Sequence, residues 1–223
     1  KKGCHVYLNV LIIDWFNLIK RYINSRDLAD LEVGEVTLQL TYSILNRLDS
    51  LFFITKPDLI FICSDNGFNK RAAGIVEGYK SNRKKFKTLA EEEREKSYIE
   101  YLKMLAKSLP VTYIDVEEVE ADMIIRCVVN FIKQIDNETN FTIATNDSDM
   151  LQLIDNNVRI FHWTKGFINK DNWAEHTFKT DQYFNAKNYA LAKSIVGDAS
   201  DNIKGVPGIG WKQCLTLFEI LHL

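Results

Sequence analysis

The sequence lacks several features that would define its class at once. No segment approaches the run of about eighteen uncharged apolar residues that a membrane span needs, so we expect no membrane partner. The only four cysteines are Cys4, Cys63, Cys127 and Cys214, and no two of them have a CxxC spacing. This scatter argues against a zinc site and for reduced thiols in an intracellular protein. The four histidines are equally dispersed, so none is a candidate catalytic base.

Apolar residues, by contrast, are plentiful enough for a sizeable core. They make up 46% of the 223 residues, and aromatic residues make up 12%, which excludes a disordered chain. The net charge of −2 does not by itself suggest a nucleic-acid partner. However, residues 80–87 (KSNRKKFK) carry five basic groups, while acidic residues concentrate around 115–122 and at predicted strand ends. A basic arm and an acidic pocket are typical of an enzyme that holds phosphates with one region and metals with another.

Apolar periodicity predicts strands that alternate with helices. We expect buried strands at 6–14, 59–63, 111–115, 141–145 and 158–161, and helices at 15–22, 35–54, 88–109, 121–135 and 149–154. Residues 66–87 lack periodicity and are predicted as a loop or arm. The chain from residue 180 onward is predicted as helical, apart from a glycine-rich turn. This alternation predicts an α/β fold, with a mostly parallel central sheet, helices on both faces and a helical appendage.

Acidic side chains follow each of the first four predicted strands. In chain order they are Asp14, then Asp65, then Glu120 and Asp122, then Asp147 and Asp149. The carboxyl ends of parallel strands line one edge of a sheet, where ligands bind. A single aspartate at such a turn is often only a helix N-cap, and that alternative stays open for Asp14, Asp122 and Asp147. As a set, clustered carboxylates repel unless cations neutralise them, and oxygen-only ligands favour Mg²⁺ or Mn²⁺ over zinc.

Residues 197–212 (GDASDNIKGVPGIGWK) hold four of the ten glycines and one of the three prolines. This composition predicts a tight turn with exposed backbone N–H groups, followed by a helix from about Trp211 whose first amides suit a phosphate. Lys204 and Lys212 flank the turn with positive charge. Asp198 and Asp201 are three residues apart, so on a helical turn they would share one face. The alternative is a plain helix–turn–helix connection with solvated caps.

Five segments, in this order, resemble the motifs of the 5′ nuclease (flap endonuclease) superfamily. The resemblance is to the form found in bacteriophage 5′ exonucleases and in the N-terminal domain of bacterial DNA polymerase I. The segments are IDWFNLIKR (13–21), GYKSNRK (78–84), VEAD (119–122), ATNDSDMLQL (144–153) and IVGDASDNIKGVPGIGWK (195–212). Together they extend over most of the chain.

The resemblance implies a PIN-like catalytic core over residues 1–180, with a basic helical arch within 66–110. Residues 181–223 would form a helical duplex-binding region with a helix–three-turn–helix motif. The site would bind two Mg²⁺ ions, with Mn²⁺ as a substitute. One ion would be surrounded by Asp14, Asp65, Glu120 and Asp122, and the site would be completed and the second ion held by Asp147, Asp149, Asp198 and Asp201. Phage and bacterial members commonly carry a further aspartate where this chain has Met123, which bears on the occupancy of the second ion.

The resemblance also assigns catalytic roles at the scissile phosphate to Lys80 and Arg83. The DNA-binding positions that it implies are Tyr79, Lys84, Lys85, Lys87, Lys204, Gly205, Gly208, Gly210 and Lys212. A K⁺ ion at the glycine-rich turn is implied as well. The expected partner is duplex DNA with a 5′ single-stranded end or flap, together with RNA–DNA hybrids. A monomer is expected, acting in the cytoplasm of a bacterium or of a phage-infected cell.

The sequence therefore predicts a divalent-metal-dependent 5′→3′ exonuclease and structure-specific flap endonuclease that acts in DNA replication or repair. Two alternatives stay open. A PIN-like ribonuclease has a related acidic site but needs neither the arm nor the glycine-rich turn. A catalytically silent DNA-binding relative is the other, and Met123 would be its first sign.

Overall fold

A computed structural model describes residues 7–23, 33–67, 74–75, 88–173 and 186–221. The chain divides into two compact units. The first comprises residues 1–67 and 86–145, and the second comprises residues 68–85 and 146–223. Most of the predicted arm at 66–87 lies outside the described residues, as do Tyr79, Lys80, Arg83, Lys84, Lys85 and Lys87. No helix within the described ranges is long and apolar enough to cross a bilayer.

Among its described residues, the first unit contains four parallel strands in the order β3–β2–β1–β4. They are β1 (Asn9–Asp14), β2 (Leu59–Ser64), β3 (Thr112–Asp115) and β4 (Asn140–Ala144). The central strand β1 is a near-continuous apolar run, as a strand with neighbours on both sides requires, and residues 10–14 are all buried. The register pairs Asp14 with Cys63 and Ile13 with Ala144, so the carboxyl ends of β1, β2 and β4 lie side by side.

In the described part of this unit, four helices accompany these strands. They are α1 (Trp15–Ile23), α2 (Val33–Thr55), α3 (Leu89–Ser108) and α4 (Ala121–Ile135). Helix α2 buries Leu40, Ile44, Leu48 and Leu51, whose spacing of three or four residues places them on one face. Helix α3 begins at a capping box, in which the Glu91 N–H donates to Thr88 Oγ1 and the Thr88 N–H donates to Glu91 Oε2. Helix α4 packs against β1, β2 and β3.

The second unit is built from short elements. A 3₁₀ helix (Ser148–Leu153) precedes the antiparallel pair β5 (Val158–His162) and β6 (Gly166–Ile168). A 3₁₀ turn (Ala186–Asn188) leads into α5 (Tyr189–Val196). The antiparallel pair β7 (Gly197–Asp198) and β8 (Ile203–Lys204) follows, and α6 (Trp211–Leu221) is the last described element. Ala192, Cys214 and Phe218 join α5 and α6 in a small buried cluster.

The predicted fold class is confirmed: the sheet is mostly parallel and the helices alternate with its strands. The five predicted strands are present with ends shifted by up to three residues, and helix 121–135 has the predicted bounds. The prediction of a helical turn that carries Asp198 and Asp201 is wrong. Asp198 lies in β7, and Asp201 lies in the turn between β7 and β8. Glycine at both ends of this segment permits a hairpin with positive φ at Gly197, which a helix would not use.

Candidate metal centre

In the first unit, Asp14 at the end of β1 is a buried carboxylate with both oxygens engaged. Its exposed fraction is only 8%. Oδ1 accepts a bond of 3.0 Å from the Asn17 N–H in the first turn of α1, and Oδ2 accepts one of 2.8 Å from the hydroxyl of the buried Thr145. Asp14 therefore caps α1, as the N-cap alternative predicted. Its carboxylate is also bonded to Thr145, the residue that follows β4. Its position at a strand end is thus set by two elements.

Asp65 reaches the start of α4 from the end of β2. Its Oδ1 accepts a bond of 2.6 Å from the N–H of Ala121, the first residue of the helix. The backbone of Asn66 is paired with the loop before α4, since its C=O accepts from the Glu118 N–H at 2.7 Å. Glu120 occupies the N-cap position of α4 and makes no side-chain capping bond. The carboxylate of Asp65 is thereby brought to the helix end that carries Glu120 and Asp122.

In the second unit, Asp147 is the N-cap of the 3₁₀ helix. Its Oδ1 accepts a bond of 2.8 Å from the Asp149 N–H. The pKa of Asp147 is raised, first by desolvation of its carboxyl group and then by the charges of Asp149 and Asp201, while the Asp149 N–H and the Lys193 ammonium act in the opposite direction. Asp147, Asp149 and Asp201 are therefore close enough to interact electrostatically.

Lys193, which sequence reasoning did not select, lies between two of the predicted metal ligands. Its ammonium group donates to Asp149 Oδ1 and, at 2.5 Å, to Asp198 Oδ2. Partial burial disfavours the charged ammonium, but these bonds and charges outweigh that effect and raise the pKa of Lys193. Burial likewise opposes the charge of Asp198, yet Lys193 and the two donors of Ser200 lower its pKa to about 2. The carboxylate of Asp198 therefore carries a charge that the Lys193 ammonium already compensates.

The residues of this site fit a divalent metal ion. The Lys193 ammonium is a stand-in cation on Asp149 and Asp198, and the groups that hold it are carboxylate oxygens, which hard cations prefer. Among the described residues, no three His, Cys, Asp or Glu side chains are grouped so that they could hold a metal as they stand. Metal binding at this pair would therefore require the ammonium group to move away.

A cavity of about 430 Å³ opens beside these carboxylates in the second unit. Asp147, Lys193 and Asp198 contribute to its wall, and so do Tyr189 and Trp211. The rings of Tyr189 and Trp211 stack with centroids 6.1 Å apart, which joins the start of α5 to the start of α6. The acidic site therefore borders a space into which part of a substrate could enter.

The predicted DNA-binding residues of the second unit occupy different environments. Lys204 in β8 and Lys212 in the first turn of α6 are exposed. Gly208 has a φ of +81° and open space around its α-carbon. Gly210 precedes α6, and its N–H donates to Gln213 Oε1 at 3.2 Å. Gly205 differs from these residues because its α-carbon lies against the backbone of Val196 and Gly197.

Comparison with known proteins shows to which family the chain belongs. Residues 9–185 match the family model described as 5′-3′ exonuclease, N-terminal resolvase-like domain. The chain belongs to this family. A 5′-3′ exonuclease of Bacillus subtilis is 28% identical over 164 residues, which cover 74% of this chain and 53% of that protein. A DNA polymerase I of Caldicellulosiruptor bescii is 29% identical over 180 residues, which cover 80% of this chain and 20% of the polymerase.

A solved structure shows the same fold. The flap endonuclease of bacteriophage T5, in a complex with DNA and metal ions, matches with a TM-score of 0.78 at 22% identity. The match covers 96% of this exonuclease-family chain and 75% of the phage protein. This chain thus spans about a fifth to about half of the curated relatives above and three quarters of the phage chain.

Proposed function

We propose that this chain is a divalent-metal-dependent 5′→3′ exonuclease and structure-specific flap endonuclease that hydrolyses DNA phosphodiesters. The observation that carries the proposal is the ammonium group of Lys193, which lies between the carboxylates of Asp149 and Asp198 in a chain of the 5′-3′ exonuclease family. Two carboxylates that retain an ammonium group at this position are suited to exchange it for a metal ion. The proposal includes Mg²⁺ as the physiological ion, with Mn²⁺ as its substitute.

The two acidic sets would each hold an ion. Asp14, Asp65, Glu120 and Asp122 would hold one, and Asp147, Asp149, Asp198 and Asp201 the other. When bound, a pair of such ions supplies an activated water and charge compensation at the leaving oxygen. The chain's own residues fix the carboxylates, as the bonds of Thr145 and Asn17 to Asp14 illustrate. Lys80 and Arg83, which lie outside the described residues, would contact the scissile phosphate and stabilise its developing negative charge.

The substrate would be recognised by its structure and not by its base sequence. Lys204 and Lys212 are exposed on either side of the turn that precedes α6, and the first amides of α6 suit a phosphate of the duplex. Lys84, Lys85 and Lys87 would add contacts to the 5′ single strand, and Tyr79 would stack on a base. The proposed substrates include RNA–DNA hybrids. The proposal also includes a K⁺ ion bound at the turn and a protein that acts as a monomer.

The test is cleavage of a duplex with a 5′ flap that carries a label at its 5′ end. We expect cleavage with Mg²⁺ and none in EDTA. The same reactions contain single-stranded RNA with a second label as an internal comparison. Cleavage confined to that RNA would favour a PIN-like ribonuclease. Tight binding of the flap duplex without cleavage in either Mg²⁺ or Mn²⁺ would instead identify a silent relative.

A further inference from the structure

Two glycines of the second unit, Gly197 and Gly205, touch through their backbones with no room for a side chain. A Cβ atom on Gly205 would lie 2.1 Å from the carbonyl oxygen of Val196 and 2.6 Å from the Gly197 nitrogen. A Cβ atom on Gly197 would lie 2.3 Å from the Gly205 nitrogen, and its φ of +86° is already unfavourable for other residues. The obstructing atoms are all main-chain atoms, so no side chain can rotate away. We call this approach the glycine contact.

The glycine contact joins the acidic site to the turn before α6. On one side, Gly197 ends α5, donates its N–H to the Lys193 C=O and directly precedes Asp198. On the other side, Gly205 follows β8, and its neighbour Val206 donates its N–H to the Ile195 C=O at 2.7 Å. In the antiparallel β7–β8 pair, Gly197 lies opposite Lys204 and Asp198 lies opposite Ile203. Asp198 and the turn are therefore linked by a short and tightly packed backbone path.

We propose that the glycine contact sets the distance between Asp198 and the turn, and so determines which phosphodiester of a bound duplex is cut. This inference rests on the proposed function, because it assumes that the turn holds the duplex and that Asp198 serves the metal. It changes the role of Gly205. The resemblance implied a DNA-contacting residue, whereas the contact makes Gly205 a positioning residue. Gly210 remains a candidate for the DNA contact, since a Cβ there would meet only the flexible Gln213 side chain at 3.4 Å.

A methyl group at Gly205 must separate the two backbones by about 1 Å or more, since non-bonded carbon atoms stay about 3.5–4.0 Å apart. A displacement of about 1 Å at a catalytic group can reduce the rate about 100-fold. The duplex contacts lie on one side of the separated backbones and Asp198 lies on the other. The turn should therefore still bind DNA but present the wrong phosphate to the site.

The test compares Gly205→Ala with Gly210→Ala on a flap duplex, with the products resolved to single nucleotides. We expect Gly205→Ala to cut about 100-fold more slowly and to move or spread the cut by at least one nucleotide, with near wild-type duplex affinity in EDTA. Gly210→Ala should weaken duplex binding, because Gly210 is a candidate DNA contact, but the DNA that it binds should be cut at the wild-type position. Circular dichroism and thermal unfolding show whether each variant is folded. If Gly205→Ala does not fold, a glycine inserted after Asn202 alters the β7–β8 register without adding a side chain and should also move the cut.

The inference would be overturned if Gly205→Ala, or the insertion variant used in its place, cut at the wild-type position. It would also be overturned if Gly205→Ala lost duplex affinity in parallel with its cleavage rate, or if Gly210→Ala moved the cut by as much as Gly205→Ala. A wild-type chain that cuts nothing would contradict the proposed function instead. The glycine contact is then judged by the rise in Tm that Mn²⁺ produces. That rise should be smaller in Gly205→Ala than in wild type because Asp198 is displaced, and an equal rise would overturn the inference.

Discussion

Lys193 shows how single residues balance the charge of the acidic site. Its ammonium group compensates Asp149 and Asp198 and holds their carboxylates together. A metal ion that takes the same two carboxylates must compete with this internal cation. The side chain thus stabilises the metal-free protein and weakens the net gain from metal binding.

Replacing Lys193 with methionine should therefore destabilise the metal-free protein and increase the stabilisation that Mg²⁺ provides. In EDTA the loss of two charged hydrogen bonds should lower the free energy of unfolding by about 1.5–3 kcal/mol. Added Mg²⁺ should then raise the Tm of Lys193→Met by more than it raises that of wild type. Lys170→Met is the matched control in the same unit, because Lys170 is exposed and its ammonium group donates to the neutral Asn156 Oδ1 at 2.8 Å. An equal loss in both variants would argue against a charge-compensating role.

The cysteines differ in reactivity because they differ in burial. Burial, with a smaller contribution from the charge of Asp14, raises the pKa of Cys63 to about 12. Its thiol therefore stays protonated at pH 8, whereas Cys127 is exposed. We expect native alkylation at pH 8 followed by peptide mapping to label Cys127 and to spare Cys63 and Cys214. Rapid labelling of Cys63 in the folded chain would contradict this assignment.

Because the pKa of Cys63 is raised in the folded protein, the contribution of its protonated thiol to stability should be lost as the pH rises from about 9 towards 12.

At the scale of elements, the start of α4 is capped by a carboxylate from outside the helix, that of Asp65, which directly follows β2. Asp65 supplies the acceptor for Ala121, while Glu120 at the N-cap position supplies none. Asp65→Asn keeps an oxygen acceptor, whereas Asp65→Ala removes it. We expect Asp65→Ala to lose about 1 kcal/mol of stability in EDTA, measured by urea unfolding, and Asp65→Asn to lose much less. Both variants should bind Mg²⁺ more weakly, and equal destabilisation of the two in EDTA would show that the capping bond is not what matters.

The elements that could be predicted from sequence are those with a strong local pattern. The apolar run of β1 that ends in Asp14, and the periodic positions of α2, define their elements without tertiary information. Elements of two or three residues, such as β6, β7 and β8, carry too little periodicity to be recognised. Lys193 was missed because its spacing of five residues from Asp198 matches no helical pair. The role of Gly205 depends on backbone atoms eight residues away in sequence, which no composition reveals.

For the molecule as a whole, a net charge of −2 means that DNA must be held by local basic groups. The predicted contacts from Lys84, Lys85 and Lys87 then make affinity fall steeply with salt. Replacing these three lysines with alanine should reduce the slope of log affinity against log salt by about 2, at about 0.7 per single-strand contact. The measurement is a salt series of flap-duplex binding in EDTA. A slope equal to that of wild type would remove the three lysines from the DNA interface.

The central claim is that the acidic residues hold the metal that cuts DNA, and Asp147→Asn tests it most directly. Asparagine keeps the oxygen that accepts the Asp149 N–H, so the 3₁₀ helix stays capped while one negative charge is lost. The measurement is single-turnover cleavage of a labelled flap duplex in Mg²⁺, with DNA affinity determined in parallel. We predict that the rate falls about 100-fold or more while affinity is retained. Cleavage by Asp147→Asn at the wild-type rate would contradict the account.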